Sequence, residues 1–135
     1  MSAVDTALPR LRTEEGFRAL PYKDTRGHAT IAYGFNVDAG ISKYAAEALL
    51  TAQLTEIDAT LAGYAWYKSA NEVRQSVFLD IAYNSGLHGL LGFPHMLAAA
   101  ALGNWATAAA ECKVMEPELA VRYAALAQLL LSGVN

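Results

Sequence analysis

A single cysteine in 135 residues, Cys112, excludes an internal disulfide, and its setting in ATAAAECKVM is that of a helix face. Synthesis in a reducing cytosol is the expectation. No stretch reaches the roughly 18 uninterrupted apolar residues of a membrane span. The apolar run at residues 96–102 is short, ends at Gly103 and reads as a buried helix. The N-terminal MSAVDTALPRLRTEEG likewise lacks an apolar run long enough for a signal peptide or anchor, so release to any extracytoplasmic target is expected to need another factor. Basic clusters are missing too. With 10 Lys and Arg against 13 Asp and Glu, a net charge of -3 and a pI near 5.5, the chain does not carry the footprint of a nucleic-acid binder. His28, His95 and Cys112 show no ligand spacing such as C-x2-C or H-x3-H, so neither a metal nor another cofactor is expected. There is no internal repeat and no low-complexity linker.

What is present is a chain that is 54% hydrophobic and long enough for one domain with a real core, but too short for two. Thr6 is read as the cap of a first helix, with Pro9 in its first turn and its end near Glu15, where Gly16 breaks it. Residues 17–22 and 27–35 read as short strands around a turn at Asp24, with Pro21 suited to an edge strand. Ser42 opens a long helical pattern that Gly63 stops. Ser69 with Glu72 has the form of a capping box ahead of Val73, Val77, Phe78 and Ile81, which share a face and should centre a helical core closed by Gly86. Phe93-Pro94 starts a helix to Gly103, Asn104 caps the next, and Pro117 opens the last, which Gly133 ends. Trp105, among alanines at helical spacing, reads as core.

Chemistry concentrates in residues 15–36, EGFRALPYKDTRGHATIAYGFN, where Glu15, Asp24 and Thr30 stand as E-x8-D-x5-T around the turn. Two carboxyl groups and a hydroxyl gathered by a hairpin can cleave a glycosidic bond, which needs a proton donor and an ionised partner. Asp24-Thr25-Arg26-Gly27 has Asp first and Gly last, as a type I turn favours. Beyond it, alternation puts His28, Thr30 and Ala32 on one strand face and Ala29, Ile31 and Tyr33 on the other. Glu15 falls at a helix C-terminus, a place that suits a proton donor because the negative end of the dipole opposes ionisation. Each residue also has a plain reading: Glu15 as a solvated helix-end charge, Asp24 as a turn former, Thr30 as a strand residue.

Their register decides between these readings. EEGFRALPYKDTRGHATIAYG resembles the active-site segment of the phage-type lysozymes, glycoside hydrolase family 24, whose motif runs roughly E-G-x(4,5)-Y-x-D-x-x-G-x-x-T-I-G-Y-G-H. Glu15, Gly16, Tyr22, Asp24, Gly27, Thr30, Ile31, Tyr33 and Gly34 fall on it in order, while Ala32 stands for the usual Gly and Phe35 for the usual His. Glu14 rivals Glu15 as the acid, but only Glu15 precedes Gly16 and holds the spacing to Asp24. A weaker similarity extends through RQSVFLDIAYNSGLHGLLGFPHML, GNWATAAAE and residues 122–133. Met115-Glu116 stands where some members have a Trp-Tyr pair, so one aromatic wall of the cleft is expected to be missing.

The resemblance implies an α+β, mainly α, lysozyme-like fold: a hairpin lobe at about 16–41, a helical lobe at about 1–15 and 64–135, a bridging helix at about 42–63, and a cleft between the lobes. It implies a muramidase acting on the β-1,4 bond between N-acetylmuramic acid and N-acetylglucosamine, with inversion, in the role of a phage endolysin. Peptidoglycan glycan strands are then the partner, without nucleic acid or stable membrane insertion. The enzyme would be a monomer made in the host cytoplasm and acting in the periplasm. Glu15 becomes the acid, and Asp24 with Thr30 the holder of the water. Asn36, Tyr83 and Asn84 become saccharide contacts, Tyr83-Asn84 being otherwise a pair at the Gly86 helix stop. Arg122, otherwise a surface cation, becomes the partner of Glu15. Two rivals are a lysozyme module of a tail or secretion apparatus and a saccharide-binding homologue without catalysis.

Overall fold

The first helix begins earlier than Thr6 because a reciprocal cap forms at Ser2. In the computed structural model, which describes residues 1–114 and 117–134, α1 spans Ala3–Glu15. The Ser2 hydroxyl accepts from the Asp5 N–H at 3.1 Å, and the Ser2 N–H donates to the Asp5 carboxylate at 3.0 Å. That capping box satisfies two orphan donors of the first turn, and it moves Pro9 from the expected first turn into the helix interior. Gly16 ends α1 as expected, with φ 68° and its N–H donated back to the Arg12 carbonyl at 3.1 Å.

Three strands follow: β1 Arg18–Lys23, β2 Ala29–Ala32 and β3 Phe35–Asn36, in the antiparallel order β1-β2-β3. Pro21 lies in an edge strand, between Arg18 and Tyr22, where the β1–β2 register shifts. Such irregularities at edges are where a residue without an N–H is tolerated. The single strand expected over 27–35 is divided, because Ala32 and Gly34 take positive φ, 60° and 69°, and turn the chain back through Phe35. The Phe35 that departs from the motif thus stands in β3, opposite Ile31. A 3-10 turn, Val37–Ala39, completes the segment.

Ala32 is the one described non-glycine residue with positive φ. It stands where the motif has glycine, and an L side chain at this φ costs about 1–2 kcal/mol. Replacing Ala32 with glycine should therefore raise stability by roughly 0.5–1 kcal/mol, after allowance for the extra freedom glycine gives the unfolded chain. Urea midpoints of the two proteins measure the difference. A loss of stability on Ala32→Gly would mean that the methyl packing outweighs the strain.

The remaining helices are α2 Lys43–Leu61, α3 Ala65–Lys68, α4 Glu72–Leu91, α5 Pro94–Ala101, α6 Trp105–Glu111 and α7 Pro117–Ser132. The fold class is α+β, mainly α. No described helix is long and apolar enough to cross a membrane. The expected capping box at Ser69 is not used. Ser69 instead closes α3, and Asn71 caps α4 by accepting the Arg74 N–H at 3.0 Å, two residues nearer the apolar face. At Gly86, φ 77° and ψ 170° are not helical, so this glycine closes the first helical stretch of α4 as expected, and a second stretch runs on from the kink to Leu91. Asn104 caps α6 as expected.

The chain divides into two compact units, Met1–Ala48 and Leu49–Asn135, with the boundary inside α2. In the second unit Val77, Phe78 and Ile81 of α4 are wholly buried with Leu61, Leu90, Met96 and Leu130. Burying each such side chain contributes about 1.5–3 kcal/mol. Phe78 is the centre, with the rings of Trp66 and Trp105 at 5.1 and 6.4 Å. Trp105 is half-buried and carries the Arg74 guanidinium over its ring, 4.5 Å from the centroid. Arg74 also donates to the Leu130 carbonyl at 2.9 Å, serving an oxygen that the end of α7 leaves without a helical partner. In the first unit the one buried residue is Thr30. Hydrogen bonds, more than an apolar core, give the hairpin its shape.

Candidate active site

Glu15, Asp24, Thr30 and Asn36 belong to the unit Met1–Ala48, and Tyr83, Asn84 and Arg122 to the unit Leu49–Asn135. In the first unit the turn closes as its sequence demands, the Gly27 N–H donating to the Asp24 carbonyl at 3.0 Å. The Asp24 side chain then folds over its own turn. Oδ1 accepts the Arg26 N–H at 2.9 Å and the His28 N–H at 2.8 Å. Oδ2 accepts no hydrogen bond from the described residues.

This arrangement sets the charge of Asp24. Its carboxyl is held below the usual carboxylate range, chiefly by the His28 N–H; desolvation, the next largest influence, opposes this, and the Arg26 N–H and the positive charges of His28 and Arg26 add to the lowering. Asp24 is therefore ionised wherever the protein is expected to work, and is suited to hold or activate water, not to donate a proton. A depressed carboxyl contributes stability above its unfolded pKa, near 4, and loses that contribution as pH falls through the lower folded value. Urea midpoints of Asp24→Asn should accordingly fall less steeply than those of the native protein as pH drops from about 4. Parallel curves would show that the N–H groups do not hold the carboxylate in solution.

Thr30 is turned by the same residue. Its hydroxyl donates to the His28 carbonyl at 2.9 Å, and that carbonyl also accepts the Asp24 N–H at 2.9 Å. With its proton committed, Oγ1 can only accept from a further partner. His28 thus binds Asp24 and Thr30 through its backbone. A sequence does not display such a role, because any residue type supplies an N–H and a carbonyl.

Glu15, the last residue of α1, is exposed and lies against Gly34. A methyl group built on Gly34 would stand 2.3 Å from Glu15 Oε2 and 2.8 Å from its Cδ, so the carboxyl occupies the space that a side chain at 34 would fill. Phe17 and Tyr33, which flank this contact in sequence, bring their rings to 5.6 Å. Gly34 was legible as a motif position, but its service to Glu15 was not.

Asn36 lies opposite Thr30 in the β2–β3 pairing, and its side-chain oxygen caps the 3-10 turn by accepting the Ala39 N–H at 3.3 Å. Tyr83 and Asn84 are exposed on α4, just before the Gly86 bend. Tyr83 lines a cavity of about 250 Å³ with Leu50, Leu54, Ser76, Leu79, Asp80 and Arg122. Arg122 is engaged within its own unit: Nε donates to Asp80 Oδ1 at 3.0 Å and Nη2 to the same oxygen. Nothing in the spacing of residues 80 and 122 announces that pair. The expectation attached to Met115 and Glu116 lies outside the described residues.

Among the described residues no three His, Cys, Asp or Glu side chains gather as a metal site. Cys112 is buried, and burial pushes its thiol up to about 11, which keeps it protonated and unreactive. No curated protein sequence matches the chain. Residues 12–122, which hold every residue of both groups, match the family model described as Phage lysozyme.

Proposed function

From the premise that the chain belongs to the phage lysozyme family, and so to the lysozyme-type peptidoglycan hydrolases, we propose that it cleaves the β-1,4 bond between N-acetylmuramic acid and N-acetylglucosamine. The observation that carries the reading is that Asp24 and Thr30 are fastened to one residue, His28, with their remaining capacity complementary. A water placed there gives one hydrogen to Asp24 Oδ2 and the other to Thr30 Oγ1, which can only accept. Its lone pair is left to attack the anomeric carbon. Glu15 passes its proton to the departing glycosidic oxygen, the C–O bond breaks, and the water's proton goes to Asp24. Exchange with solvent returns both carboxyls to their starting states. In this reading the attack comes from the face opposite the leaving group and inverts the anomeric centre.

Asn36, Tyr83 and Asn84 are proposed as saccharide contacts and Arg122 as the electrostatic partner of Glu15, with Asp80 fixing the guanidinium. These roles rest on the family resemblance. The biological role proposed is that of a monomeric endolysin made in the host cytoplasm and acting on periplasmic peptidoglycan once another factor has released it. Turbidity of outer-membrane-permeabilised cells should fall on addition of the protein, and the soluble products should carry new reducing ends on muramic acid. Reducing ends on glucosamine, or anhydromuramic ends, would overturn the bond or the mechanism. Binding to cell walls without release of sugar would leave a saccharide-binding homologue.

A further inference from the structure

Strand β2 has an N–H group for which the sheet offers no carbonyl. β3 is two residues long and pairs Thr30 with Asn36 and Ile31 with Phe35. Continuing the register, Ala29 would meet the residue after Asn36, but there the chain has already curled into the 3-10 turn. The Ala29 N–H donates instead to Asp38 Oδ2 at 2.9 Å, so a side chain takes the place of the missing strand. The same Asp38 oxygen lies 3.9 Å from His28 Nδ1. Asp38 therefore grips the chain on both sides of the 28–29 peptide bond, at the residue whose N–H and carbonyl hold Asp24 and Thr30.

We propose that Asp38 is a positioning residue for the hydrolytic water: by fixing Ala29 and drawing the His28 imidazole, it keeps the His28 backbone where it binds Asp24 and Thr30 together. This rests on the reading of Asp24 and Thr30 as the water-holding pair. The charged groups on the elements bonded to His28 are Asp24 and Arg26 of its own turn, Arg18 and Lys23 at the two ends of β1 and Asp38 of the 3-10 turn; β3 supplies none. Half-exposed as it is, the His28–Asp38 pair adds little to global stability. Its effect is local geometry, where a misplacement of about 1 Å can cost on the order of 100-fold in rate.

The sign of one titration separates positioning from a bystander charge. Removing a nearby negative charge would by itself lower the Asp24 titration midpoint, whereas loosening the N–H groups on Asp24 would raise it. Carbon-13 NMR of the Asp24 carboxyl and hydrogen exchange of the Ala29 amide read both quantities without any substrate. In Asp38→Ala the midpoint should rise, the Ala29 amide should exchange at least about tenfold faster, and kcat should fall on the order of tenfold to 100-fold with KM nearly unchanged. Asp38→Asn keeps an acceptor for Ala29 and should recover most of the protection and the rate. His28→Gln keeps the backbone and should leave Ala29 protected, while the Asp24 midpoint rises because a positive charge is lost. If Asp38→Ala does not fold, Asp38→Asn and His28→Gln still report on the grip and the charge separately. A lowered or unmoved Asp24 midpoint in Asp38→Ala, or failure of Asp38→Asn to protect Ala29, overturns the proposal. Responses of Asp24 and Ala29 as expected in a protein with no lytic activity would uphold the positioning and remove the catalytic reading.

Discussion

Glu15→Gln should reduce lysis of permeabilised cells on the order of 1,000-fold or more while the protein remains folded. The amide has the shape of the carboxyl and fits against Gly34, but it has no acid proton for the leaving oxygen. Because Glu15 is exposed at a helix end, the substitution should change stability by no more than about 0.5 kcal/mol. Circular dichroism and a urea midpoint check the fold, and initial rates of turbidity loss check the chemistry. Glu14→Gln is the companion measurement and should keep its activity, since Glu14 does not hold the spacing to Asp24. Undiminished lysis by a folded Glu15→Gln protein would remove Glu15 from the mechanism.

The second large effect is expected from a residue with no side chain. Gly34→Ala places a methyl group 2.3 Å from the present position of Glu15 Oε2, closer than any real contact, so one of the two must move. The carboxyl is the end of a flexible chain and will yield before the backbone does. The acid is then held off the glycosidic oxygen, and a displacement of this size costs on the order of 100-fold in kcat. The substitution also strains a backbone at φ +69°, by about 1–2 kcal/mol. Gly40→Ala separates the two causes, because Gly40 has φ +81° with nothing within 4 Å of the added methyl. Gly40→Ala should lose comparable stability and keep its rate. Equal losses of rate in both variants would show that general strain, and not the place of Glu15, explains the result.

The helices of the second unit were readable because their signals are local. The Val77, Phe78 and Ile81 face, the Asn104 cap and the Pro117 start each depend on residues within a turn or two of one another. The failures were local competitions that periodicity does not rank. Ser2 with Asp5 captured the start of α1 from Thr6, and Asn71 displaced Ser69 as the cap of α4. The divided strand came from Ala32 taking a backbone conformation that its side chain disfavours, for which the hairpin, not the residue, is responsible.

For the site, the sequence by itself determined which groups are available. Glu15, Asp24 and Thr30 in register, the Asp24-to-Gly27 turn, and the alternation that sets Thr30 opposite Ile31 follow from residue identity and spacing. The tertiary structure decided how those groups are used. That Asp24 is held ionised by two N–H groups, that the Thr30 proton is spent on the His28 carbonyl, that Asp38 stands in for a strand and that Gly34 makes room for Glu15 are all contacts with backbone or with empty space. Every residue carries the same N–H and carbonyl, and a void carries no letter, so their roles exist only once the chain has closed around them.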